Sequence, residues 1–173
     1  MKTSKTAPPS PRIDILQRGG TKQHGVLRRA ALHILRERMS ARMANSLSVR
    51  IEVRSTKLEE GAAAVAWLPT NGSTASRSFT VVLDRERPLI LQIRDLAHEL
   101  VHVEQAATGR LQYRLWRTDG KVHARWEGSD LGPLSCLPYA TRPWEVEAYA
   151  AETGLANSFL RSDAEARAEC GLR

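Results

Sequence analysis

Aromatic residues are scarce, only 5% of the 173 positions. A core must therefore be built from Ala, Leu, Val and Ile around four tryptophans. Cysteine is scarcer still: Cys136 and Cys170 stand alone with no CxxC spacing, which argues against a disulfide framework or a cysteine-based zinc finger. No run of 18 apolar residues offers a membrane span, and the opening "MKTSKTAPPSPR" is polar where a signal peptide needs an apolar stretch. These absences lead us to expect a soluble protein of a reducing cytoplasm with no membrane partner.

Acidic residues are missing from one region in particular. Residues 1–45 hold 10 Lys/Arg against 2 Asp/Glu, while the rest of the chain holds 16 against 17, so the net charge of +7 belongs to the N-terminal segment. Such a segment can contact a nucleic-acid backbone without sequence preference, or simply be a solvated tail and helix face.

What is present fits one domain, since 173 residues with 42% hydrophobic content suffice for a single core. Residues 1–20, Pro-rich and basic, are expected to form a disordered arm, and 21–173 a single domain. In "HGVLRRAALHILRERMSARMA", apolar Val26, Leu27, Ala30, Ala31, Ile34 and Leu35 make one helix face, with Arg29 and Arg36 opposite. "SLSVRIEVR", "AAAVAWL" and "SFTVVLD" read as three strands, with a turn at Asn71-Gly72, and their short connections suggest an antiparallel meander. A helix follows from Pro88 to Thr108, then a hairpin turning at Asp119-Gly120, a Gly/Pro/Ser-rich loop, and a helix from Pro143 to about Ala156. The fold class is α+β, with a small, mainly antiparallel sheet.

The chemistry concentrates in "RDLAHELVHVEQ". His98 and His102 lie about 40° apart on a helix, one turn above the other, and can share one ion. Glu99 is placed to reach a water on that ion without being a ligand, the H-E-x-x-H arrangement. A polar stripe facing solvent would also carry these residues, so a third ligand decides the matter. "RPWEVEAYAAE" offers Glu145 and Glu147, which point to opposite sides of a helix. Around Glu147 lie Pro143, Trp144, Ala150, Ala151 and Gly154, small or apolar, and a carboxylate there is costly unless paired or metal-bound. Glu147 is therefore the expected ligand, and Glu145 is expected to pair with Arg142 or Tyr149. His123 and Cys136 are weaker alternatives. Tyr139, His123 and Arg142 are candidates to stabilise an oxyanion, Tyr139 first because its loop leads into the last helix.

"HELVHVEQ" followed by "YATRPWEVEAYAAE" resembles a group of small zinc-metallopeptidase-like proteins common in bacteriophages and prophages, over residues 88–155. The layout is similar, more distantly, to gluzincins and to SprT-like and ImmA-like zincins. That resemblance implies a compact zincin-like domain with one Zn²⁺ per chain, His98, His102 and Glu147 (in Glu147-Ala148) as ligands, and Glu99 as catalytic glutamate. It departs from thermolysin in the longer gap before this Glu and in Ala151 four residues after it. The third histidine of SprT-like enzymes is also absent.

The resemblance further implies hydrolysis of protein or peptide substrates, paired as extended strands along an edge strand, for which "SFTVVLD" is the expected element, in a bacterial or phage-infected cell. The rival readings are a nucleic-acid-binding protein or a phage structural or assembly component, with a structural or inactive zinc site.

Overall fold

In the computed structural model, residues 11–16, 21–55, 64–67 and 77–172 are described, residues 21–22 and 64–67 by backbone alone. The chain is α+β: the described residues form a four-stranded sheet, a three-stranded sheet and five α-helices.

Strand β1 (Arg12–Leu16) leads to helix α1 (Thr21–Arg38), a short α2 (Ala41–Asn45) and β2 (Ser48–Arg54). Strands β3 (Ala64–Trp67) and β4 (Ser78–Asp84) complete the first sheet in the order β1-β2-β4-β3. The apolar stripe expected on α1 is buried residue for residue, from Val26 to Leu35. The helix ends where Ser40 accepts from the Met43 N–H and starts α2, so the expected single run to Ala44 breaks in two.

The antiparallel meander expected from the sequence does not form. β4 runs parallel to β2, β1 runs parallel to β2 on the other side, and only β3 is antiparallel, at the edge beside β4. The reason lies in composition: Phe79, Val81, Val82 and Leu83 are all buried, a both-faces pattern that suits the interior of a sheet, whereas alternation suits a half-covered strand. β4 therefore inserts between β2 and β3, and the expected peptide-pairing role of "SFTVVLD" fails because both of its edges are occupied. Residues 12–16 of the expected disordered arm pair with β2, from Arg12 opposite Ser48 to Leu16 opposite Glu52. The rest of that expectation, apart from the buried Pro11, and the Asn71-Gly72 turn fall outside the described residues.

Helix α3 (Leu89–Ala107) begins after Pro88 and stops at Gly109, which takes the left-handed φ of 79°. It is buried on nearly every side, packed against α1, β3, β4 and the long helix α4 (Pro143–Ser162). Gln92 anchors its first turn, its amide donating to the carbonyls of Asp84 and Arg87. The second sheet, β5 (Leu111–Leu115), β6 (Val122–Trp126) and β7 (Ser129–Pro133), includes the expected hairpin. It also includes a strand read from sequence as loop: Glu127 (φ 47°) and Gly128 (φ 89°) form a two-residue turn whose left-handed geometry reverses the chain. α4 runs six residues past its expected end, and α5 (Ala164–Glu169) follows. No helix among the described residues is long and apolar enough to cross a membrane.

Asp163 joins these ends. Its carboxylate accepts from the Ala166 N–H as the N-cap of α5 and from Arg29 of α1 at 2.6 Å. Asp163→Ala should cost about 1–2 kcal/mol, mostly through the lost cap because Arg29 is partly solvated, read as a lowered melting temperature. The Arg29 hydrogen bond holds the folded Asp163 pKa below its ordinary 3.8. Its contribution is therefore complete above that value and disappears as pH falls through the folded pKa. In Asp163→Asn, that share of acid destabilisation should be absent.

Candidate metal centre

Two elements bring the candidate residues together. α3 supplies His98, Glu99 and His102, and α4 crosses it so that its first turn faces the histidines, fixed by a Gln105 hydrogen bond to the Trp144 carbonyl. His98, Glu99 and His102 are each only 6–7% exposed. A solvent-facing stripe is thereby excluded.

His98 Nε2 and His102 Nε2 stand 3.2 Å apart, and Glu145 Oε2 lies 3.3 and 3.4 Å from them. These three buried residues form a group that could hold a metal ion. Glu145 thus replaces Glu147, the ligand expected from sequence. Glu147 is turned away, held at 2.6 Å by both Arg38 and Arg110. Burial opposes its charge, but those two guanidiniums win and keep its pKa down at about 2. The sequence argument failed because Ala and Gly do not mark a buried face. Ala150 and Gly154 are exposed, and the cost of placing a carboxylate there is offset by arginines from distant elements.

Hydrogen bonding fixes what the three donor atoms present. His98 Nδ1 lies 2.9 Å from Glu152 Oε2, which can only accept, so Nδ1 carries the proton. Gln105 donates its NH₂ to the Trp144 carbonyl and to Glu147, which leaves its oxygen to accept from His102 Nδ1 at 2.9 Å. Both neutral imidazoles then aim Nε2 lone pairs inward, and Glu145 Oε2 is buried without a hydrogen bond. Such a set could hold a metal ion at its centre. Burial works against charging the imidazoles, yet the carboxylates of Glu145 and Glu99 close to both rings, with Glu152 at His98 and Gln105 at His102, outweigh it and raise both histidine pKa values. The same carboxylates would favour a metal ion.

Glu99 is buried beside the histidines and acts on both through its charge, but is not one of the three convergent donors. Tyr139, half exposed in a 3₁₀ turn (Tyr139–Thr141), places its hydroxyl against Glu145 and Tyr149. Burial and the Glu145 carboxylate push its pKa well up, so it remains an O–H donor. Tyr149 packs its ring against His98, with centroids 4.6 Å apart. His123 and Cys136 are outside the donor cluster, and Arg142 lies over the Tyr139 ring.

Sequence reasoning missed Glu145, Tyr149, Glu152 and Gln105 as parts of this site. A signal existed: Glu145, Tyr149 and Glu152 recur at i, i+4 and i+7, within about 60° of one another on the helix, so a single polar stripe of α4 meets the single polar stripe of α3.

Glu145→Ala and Glu147→Gln should therefore separate ligand from support. Glu147→Gln should keep one metal per chain with affinity lowered about 10–100-fold, the loss typical of a group that orients a ligand. Glu145→Ala should lose far more; both are measured by competition against a chromophoric chelator. Comparison with family models, curated proteins and solved structures yields no match for this chain.

Proposed function

We propose that the protein is a zinc-dependent peptidase with His98, His102 and Glu145 as ligands and Glu99 as general base. The observation that carries this reading is the convergence of two imidazole nitrogens and one carboxylate oxygen, 3.2–3.4 Å apart. Three corners of a tetrahedron with metal–ligand lengths of about 2.0–2.1 Å are separated by about 3.3 Å, and two nitrogens with one oxygen suit zinc. Only three donors converge among the described residues. A structural site closes with four, and a site with three leaves a position for water or substrate.

Zinc would supply Lewis acidity, lowering the pKa of a water and polarising a carbonyl. The chain's own groups do the rest. Glu99, buried beside His98, accepts the proton of the attacking water and then delivers it to the leaving amine. Tyr139, kept protonated, donates to the oxygen that gains charge. Glu152 and Gln105 hold the imidazoles in the tautomer that presents Nε2. β3, the edge strand beside α3 among the described residues, offers backbone pairing to an extended peptide.

Glu99→Gln tests this directly: zinc content should stay at one per chain while cleavage of a denatured protein substrate falls about 10²–10⁴-fold. Cleavage equal to that of the unaltered protein would remove Glu99 from the chemistry. Zinc affinity should also depend on pH with a definite sign. Protons compete for Nε2, and the raised histidine pKa values extend that competition above pH 6.5. Affinity should therefore weaken on acidification from pH 8 to 6, by about tenfold or more per unit in the lower part of that range, measurable by calorimetry.

A further inference from the structure

The second sheet has two unlike faces. Leu111, Tyr113, Ala124 and Trp126 turn inward onto Trp144, with Leu134 and Leu137 closing the same cluster. The alternate residues, Gln112 and Arg114 on β5 and His123 and Arg125 on β6, turn the other way, paired Gln112 with Arg125 and Arg114 with His123. No element among the described residues packs over that outer face.

Its charges are unspent. Arg114 and Arg125 on this face, and Arg117 and Lys121 in the turn that joins β5 to β6, have no carboxylate within ion-pair distance among the described residues. Arg114 reaches only Gln112, and Arg125 only the Gly128 carbonyl. Arg29, Arg38 and Arg110 are engaged, by Asp163 and Glu165, by Glu104 and Glu147, and by Glu127 and Glu147, whereas Arg28 and Arg36 on the exposed face of α1 share the lack of an ion pair among the described residues but have no aromatic platform beside them. Asp119 is occupied by His123 at 2.8 Å, which leaves Asp130 as the one acid lining the face.

An aromatic platform stands among these cations. Trp116 is stacked on His123, centroids 4.2 Å apart and rings within 5° of parallel, so the indole is held while 42% of the residue stays exposed. Beside it opens a pocket of about 170 Å³ lined by Arg114, Trp116, His123, Arg125 and Asp130, enough for one flat heterocycle.

We propose that this outer face binds single-stranded nucleic acid. Phosphates lie on Arg114 and Arg125 of the face and on Arg117 and Lys121 of the adjoining turn, and an unstacked base lies on Trp116. Four cations without an ion pair call for a polyanion, and a held, exposed indole calls for a ligand with π-faces, which single strands present and duplexes conceal. An acidic peptide would satisfy the arginines and leave the indole without a partner. The surface is separate from the metal centre, so its failure and that of the peptidase reading are distinguishable.

The test uses full-length protein and a fluorescein-labelled oligothymidylate, with anisotropy followed against salt. Binding should weaken with salt with a log–log slope of about −3, the value for four phosphates on a single strand. Arg114→Ala with Arg125→Ala should halve the slope. Trp116→Ala should weaken binding about five- to hundredfold with the slope unchanged. Arg28→Ala with Arg36→Ala, which alters exposed arginines of α1, should leave binding intact, and zinc content should be unaltered in every variant. Absence of binding overturns the proposal. So does loss of binding in the α1 variant rather than the sheet variants, a Trp116→Ala protein that binds as before, or equal affinity for the duplex, heparin or polyglutamate.

Discussion

Three lone pairs aimed at one buried point repel one another unless a proton or a metal ion stands among them. The polar network shared by α3 and α4 is arranged about that point. His98 and His102 are adjacent because α3 is a helix, but their nitrogens point inward only because Glu152 and Gln105 take up the opposite ring protons. Gln105 in turn is held in one orientation by the Trp144 carbonyl and Glu147, and Glu147 is held by Arg38 and Arg110. A chain of donors and acceptors thus runs from Arg38 of α1 and Arg110, just before β5, through Glu147 of α4 and Gln105 of α3 to the imidazole of His102. Each link has one sense, since guanidinium only donates and carboxylate and backbone carbonyl only accept.

Much of the fold was legible in the sequence where periodicity had a single meaning. The α1 face, the α3 boundaries and the β5–β6 hairpin follow from apolar spacing and from Pro88, Gly109 and Gly120. Strand order was not legible. Nothing in the spacing of "SFTVVLD" says that it inserts between its predecessors, although its four buried apolar residues in five positions carried a hint of centrality. β7 was hidden because Glu127-Gly128 makes a left-handed turn with a glutamate at its first position, where Asn or Asp is usual.

In the site, the two histidines and Glu99 were readable because helix geometry alone relates them. The third donor was not, because choosing between Glu145 and Glu147 requires knowing what faces each side of α4. The apolar-face argument treated Ala150, Ala151 and Gly154 as core, yet small residues lose little by facing water. Glu147 proved to be paired with Arg38, 109 residues earlier, and Arg110, 37 residues earlier. Long-range ion pairs leave no local trace, whereas the i, i+4, i+7 stripe of Glu145, Tyr149 and Glu152 did.

The same pairing explains how such a charged centre is tolerated. Asp95, Glu99, Glu104, Glu145 and two histidines are all buried within two packed helices, an arrangement expensive in desolvation unless each charge has a partner. Arg87 meets Asp95, Arg38 meets Glu104, and the histidines meet Glu145 and Glu152. Around them, α3 and α4 are already joined by the Gln105 to Trp144 hydrogen bond and by apolar contacts through Ala148, Leu155 and Phe159. These contacts need no ion. The site is thus assembled by the fold, so metal-binding free energy is not spent on ordering the two helices.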